Sequence, residues 1–111
     1  MVNVVSVNGF MVTGSFLPYS TSKGALMQVT RCCAMDLAPL AIRVNAVCQS
    51  WPDRNRSLLQ PLDLDGYSLE EGCKVFGDFS LMKRQAAPEE VARAVAFLAS
   101  DDASFILASA S

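Results

Sequence analysis

The chain opens on Met1-Val2-Asn3-Val4-Val5-Ser6, a β-branched apolar run that gives way to the polar, glycine-containing stretch from Val7 to Gly14. A short apolar run bounded by turn residues predicts a buried strand, with Ser6 at its carboxyl end. From Tyr19 to about Leu37, the residues Leu26, Val29, Cys33 and Leu37 recur at spacings of three and four. That period predicts one buried helical stripe, and Pro39 is expected to end the helix. Ile42 to Cys48 returns to a β-branched pattern of strand length. Strand, helix and strand at this spacing predict a right-handed βαβ unit with two parallel strands.

Beyond it, the stretch from Gln49 to about Ala87 carries Pro52, Pro61, Gly66, Gly72 and Gly77 among charged and aromatic residues. It is expected to be an irregular excursion with one or two short helices. Pro88-Glu89-Glu90 opens a further helix, with proline at a first-turn position and carboxylates near the positive end of the helix dipole. The expected core face of that helix is Val91, Val95 and Leu98, and Ser104-Phe105-Ile106-Leu107 is expected to start one more strand. No repeat or low-complexity linker interrupts the chain. Residues 1–111 therefore read as a single region, with 49–87 as an excursion within it.

Composition narrows the function classes. The 111 residues are 51% hydrophobic and 18% charged, as in one ordinary globular unit or a part of one. A formal charge of −2 with scattered Lys and Arg gives no basic surface for nucleic acid. No apolar run approaches the roughly 20 residues of a membrane span, and the first residues lack the pattern of a signal peptide. A soluble, cytoplasmic protein is expected. The chain contains no histidine, so it cannot itself build a Ser-His-Asp triad, a Cys-His pair or a histidine-containing metal site. Cys32, Cys33, Cys48 and Cys73 form no CxxC pair and are expected to be buried, reduced thiols rather than zinc ligands or disulfides. Asn55-Arg56-Ser57 matches a glycosylation acceptor and is read as a chance match.

The candidate chemistry lies in Ser6, Tyr19 and Lys23. Positions four apart on a helix share a face, so the Lys23 ammonium would stand beside the Tyr19 phenol and favour its ionised form. Tyr19 and Lys23 alone would fit any exposed helix. Ser6 changes that reading, because open α/β sheets place their ligands beyond the carboxyl ends of the strands. A proton donor, a cation and an orienting hydroxyl would meet there.

These residues sit within Val2-Asn3-Val4-Val5-Ser6-Val7-Asn8-Gly9, Pro18-Tyr19-Ser20-Thr21-Ser22-Lys23-Gly24-Ala25-Leu26, Leu37-Ala38-Pro39, Ile42-Arg43-Val44-Asn45-Ala46-Val47, Pro88-Glu89-Glu90-Val91-Ala92 and Phe97-Leu98-Ala99-Ser100-Asp101. In order and spacing the blocks resemble the classical short-chain dehydrogenase/reductases, over nearly the whole chain. The resemblance implies an α/β fold, part of a Rossmann-like doubly wound parallel sheet. It also implies hydride transfer between NAD or NADP and a small-molecule alcohol or carbonyl. By that analogy Tyr19 is the acid/base, Lys23 supports it and binds the nicotinamide ribose together with Tyr19, and Ser6 hydrogen-bonds the substrate oxygen. The helix from 19 to 37 resembles one that members commonly pack into a homo-oligomer interface.

The chain also departs from the family. Gln49-Ser50 replaces the usual Pro-Gly, Arg54 stands near the usual threonine, and Leu107-Ala108 replaces Thr-Gly. The Gly-rich phosphate turn, the N-terminal βαβαβ and the last strand are not in this sequence. It resembles the second half of a member, and alone it is expected to be inactive. The alternative is a non-enzymatic product that acts by association with full-length family subunits. Ser20-Thr21-Ser22-Lys23 also matches S-x-x-K of serine β-lactamases, but neither companion motif is present, so that match is set aside.

Overall fold

Two parallel strands carry the architecture. In the computed structural model, which describes residues 1–11, 16–49, 78 and 80–110, Val2–Ser6 (β1) pairs with Asn45–Gln49 (β2). The register runs from Val2 opposite Asn45 to Ser6 opposite Gln49. The helix Leu17–Leu37 (α1) connects them, with Pro18 in its first turn, where a missing amide costs nothing. Among the described residues, a further helix, Pro88–Ala99 (α2), follows. The chain divides into two compact units, Met1–Gln49 with Ala92–Ser111, and Ser50–Val91.

In the first unit, Val5, Met27 and Ala46 form a buried cluster, with Leu26 and Cys48 packed against it. The helical stripe differs from the expected one. Leu26, Cys33 and Leu37 are half-buried, but Val29 is 49% exposed, while Met27, Thr30 and Ala34 are buried. Thr30 can replace an aliphatic residue because its Oγ1 is satisfied twice. It donates to the Leu26 carbonyl at 2.9 Å and accepts from Asn3 Nδ2 at 2.9 Å, which also ties α1 to β1.

After Leu37 the chain tightens into a 3₁₀ turn, Ala38–Leu40, containing Pro39. It reverses at Ala41, which has a left-handed φ of 58°, and the Ile42 amide bonds back to the Leu37 carbonyl at 3.2 Å, an arrangement that satisfies a terminal helix carbonyl. This reversal occupies residues expected to begin the second strand, so β2 starts at Asn45 rather than Ile42.

Arg43 and Asn45 then hold the end of the chain. The Arg43 guanidinium donates to the Leu98 carbonyl at 2.9 Å and the Ser100 carbonyl at 2.8 Å, placing positive charge at the negative end of α2. Asn45 is fully buried. Its Nδ2 donates to the Ile106 carbonyl at 2.8 Å, and its Oδ1 accepts from the Ser109 amide and hydroxyl, each at 3.1 Å. The residues expected to start a strand, Ser104 to Leu107, instead continue from a 3₁₀ turn, Asp101–Ala103, through a further turn. Pairing with β2 comes only at Ala110, as a single parallel bridge to Ala46. Side-chain bonds from Asn45 work alongside two main-chain bonds in this approach, from the Ala108 amide to the Val44 carbonyl and from the Ala46 amide to the Ser109 carbonyl.

In the second unit, Glu90 lies in the first turn of α2 and reaches back to the Ala87 amide at 2.8 Å, one half of a capping box. Arg84 grips the same carboxylate through two bonds, at 2.6 and 2.7 Å. Leu98 is the buried residue of α2, with Val91 and Val95 half-buried. Most of the expected excursion lies outside the described residues, and so do Arg54, Asn55-Arg56-Ser57 and Cys73. Its described end, 80–87, is turn and irregular chain.

The cysteines are less buried than expected. Cys32 is exposed, and Cys33 and Cys48 are intermediate. Burial pushes the Cys48 thiol pKa up. Among the described residues, no helix is long and apolar enough to cross a membrane.

Replacing Asn45 with Ala should lower the unfolding free energy by about 2 kcal/mol, because buried partners are left unpaired. Urea titration measures this, and an unchanged midpoint would contradict the clamp.

Candidate active site

Ser6 is the last residue of β1 and is buried. Its backbone is extended, with φ −139° and ψ 155°, and its Oγ accepts from the Asn8 amide at 3.3 Å. It thereby caps the 3₁₀ turn Val7–Gly9. Serine suits that position because its short hydroxyl reaches an amide two residues on. As an acceptor there, the hydroxyl keeps its own proton available for a further bond.

Tyr19 and Lys23 occupy the start of α1. The Tyr19 ring meets Phe16 edge-on, with centroids 6.4 Å apart. Its carbonyl accepts the Ser22 hydroxyl at 2.7 Å. One turn later, the Lys23 ammonium lies 5.7 Å from the centroid of the Tyr19 ring, within the range of cation–π attraction. The four-residue spacing thus brings phenol and cation together. The same ammonium donates to the Val4 carbonyl at 3.1 Å, joining the first turns of α1 to β1 two residues before Ser6. Gln49, at the departure from the family pattern, is the register partner of Ser6 at the carboxyl end of β2.

The S-x-x-K alternative finds no support in this geometry. Ser20 Oγ is buried without a hydrogen-bond partner among the described residues, and Lys23 turns to Val4 instead. Sequence reasoning assigned Val4 no part in the site. Its contribution is a main-chain oxygen, and no side-chain pattern marks one.

A family model described as enoyl-(acyl carrier protein) reductase matches residues 1–110. The meso-2,3-butanediol dehydrogenase of Serratia marcescens is 39% identical over 106 residues, covering 96% of this chain and 39% of that protein. The chain belongs to the short-chain dehydrogenase/reductase family. The crystal structure of a short chain dehydrogenase family protein from Francisella tularensis matches with a TM-score of 0.89 and 35% identity, covering 98% of this chain and 46% of that one. An actinorhodin polyketide ketoreductase, solved with NADPH, matches with a TM-score of 0.87 and 30% identity over 98% of this chain and 43% of its own. The fold is therefore a part of the Rossmann-like α/β sheet of this oxidoreductase family, and the chain spans less than half the length of each of these relatives.

Ser6→Ala should lower stability by about 1 kcal/mol through loss of the cap on the Asn8 amide, whereas Ser6→Thr should retain most of it. Thermal or urea unfolding of the pair separates this structural share from any chemical one. Equal loss in both variants would argue against the cap.

Proposed function

We propose that this chain carries the proton-transfer machinery of an NAD- or NADP-dependent oxidoreductase that interconverts a small-molecule alcohol and a carbonyl. The observation that carries this reading is the Lys23 ammonium, held between the Tyr19 ring and the β1 carbonyl of Val4. The donor set fits the nicotinamide-ribose end of such a cofactor. An ammonium has three N–H donors; one is engaged at Val4, and the others suit ribose hydroxyls. When bound, the nicotinamide supplies the hydride for carbonyl reduction and takes it back in alcohol oxidation.

In the reducing direction, the Tyr19 hydroxyl gives its proton to the substrate oxygen. Lys23 stabilises the resulting phenolate by Coulomb attraction, and the Ser6 hydroxyl donates a bond that orients the same oxygen. In the oxidising direction, Tyr19 takes the alcohol proton. By the family resemblance, substrate specificity is assigned to the excursion over 49–87. The family's Gly-rich phosphate turn is absent from the sequence, so the chain alone binds dinucleotide poorly and does not turn over.

A chimera joining this chain to the N-terminal portion of the Serratia dehydrogenase should oxidise or reduce NAD(P)(H) with a member of an alcohol and carbonyl panel. Tyr19→Phe should lower its kcat roughly 1000-fold, the usual scale of a lost general acid/base. Full activity in that variant would refute the assignment. Micromolar NADPH binding by the isolated chain would refute its predicted inactivity.

A second reading is self-association or association with full-length family subunits through α1. It is favoured by an outward arc on which Ala25, Val29, Cys32 and Met35 are all exposed, an apolar stripe of the kind that marks interaction surfaces. Size-exclusion chromatography with light scattering should show a species larger than the 11.9 kDa monomer, shifted back by Val29→Asp with Met35→Asp. A monomer before and after substitution would remove this reading.

A further inference from the structure

We infer that Gly9 is a positioning residue for Lys23. The 3₁₀ turn Val7–Gly9 follows Ser6 and lies against α1 at the Lys23 turn. A Cβ on Gly9 would meet the Lys23 carbonyl oxygen at 3.1 Å, its carbon at 3.3 Å and Val5 Cγ1 at 3.4 Å. The first two neighbours are helix backbone, which cannot swing aside as a flexible side chain does. Any side chain at position 9 therefore displaces the turn or the helix by a few tenths of an ångström, and both carry the site.

Gly24 shows that this demand is local. A Cβ there would lie 3.7 Å from the Gly9 carbonyl oxygen, an ordinary van der Waals contact, and alanine is the better helix former. Two glycines thus face each other across one crossing, and only Gly9 is sterically required. Its neighbour Lys23 has its ammonium tied to Val4 and its charge beside Tyr19. The missing side chain of Gly9 sets how closely the turn after Ser6 approaches the backbone of Lys23, and so the offset of the cation from the strand end.

The catalytic importance of this spacing rests on the proposed function, but its test does not. In the 111-residue chain, competitive acylation by a limiting amount of an activated ester, read by mass spectrometry, gives the reactivity of Lys23 relative to Lys83. Gly9→Ala should raise that ratio about five-fold, the scale of losing one ordinary hydrogen bond, while Gly24→Ala leaves it unchanged. A merely structural role would lower the melting temperature of Gly9→Ala without singling out Lys23. An unchanged ratio in a folded Gly9→Ala chain overturns the inference. If that variant does not fold, proton NMR of the unsubstituted chain decides: a nuclear Overhauser effect between Gly9 Hα and Lys23 Hα supports the close crossing, and its absence overturns it. A Lys23 response in a chain whose chimera never turns over would leave the positioning intact and refute the functional reading alone.

Discussion

β1 and β2 run in the same direction, so the chain leaving Ser6 has to return to the far end of the sheet before Asn45 can pair. No tight turn can make that connection. The 21 residues of α1 make the return, with a rise of about 1.5 Å per residue. A helix used this way begins at the end of the sheet where the first strand stops. The first turns of α1 are therefore brought to Ser6 by topology, before any side chain takes part. Tyr19 and Lys23 need only occupy those turns, four residues apart, to share a face there. The Lys23 bond to Val4 and the Thr30 bond from Asn3 then fix the helix to the strand at two levels.

The other side of β2 relies on different chemistry. Arg43 and Asn45, two residues apart, use side chains to hold main-chain atoms of Leu98, Ser100, Ile106 and Ser109. Arg43 satisfies carbonyls that a helix end leaves open. Asn45 offers a donor and an acceptor like a peptide group, so it stands in for strand pairing where the chain has not yet become a strand. The backbone adds the Ala46 amide to the Ser109 carbonyl and the Ala108 amide to the Val44 carbonyl. The approach to Ala110 is thus shared between one buried amide side chain and two main-chain bonds.

Much of this was legible in the sequence. The apolar run ending at Ser6, the period of α1, the Pro-Glu-Glu start of α2 and the Tyr19–Lys23 spacing each express a local rule, and each element formed near its expected bounds. The errors share a cause. The hydrophobic pattern counted Val29 as core and passed over Met27, Thr30 and Ala34; in the case of Thr30 it cannot register that a hydroxyl with two partners is as buriable as a methyl group. It made Ser104 to Leu107 a strand because Phe, Ile and Leu suit one, whereas distant Asn45 determines where that backbone goes. Cys32 was expected to be buried from its residue type, but the face of α1 it occupies is outward. Val4 O and the close approach at Gly9 were invisible for a related reason, since both are properties of backbone position.

The Lys23 anchor has a consequence for how the site tolerates change. Its acceptor belongs to the peptide unit of Val4, so any residue that stays extended at that position presents the same oxygen. An ion pair with a carboxylate would need two matched side chains and would fail when either was replaced. Here only the lysine is specified by residue type. The anchoring partner is inherited with the shape of β1, so the anchor itself prescribes no side chain at position 4.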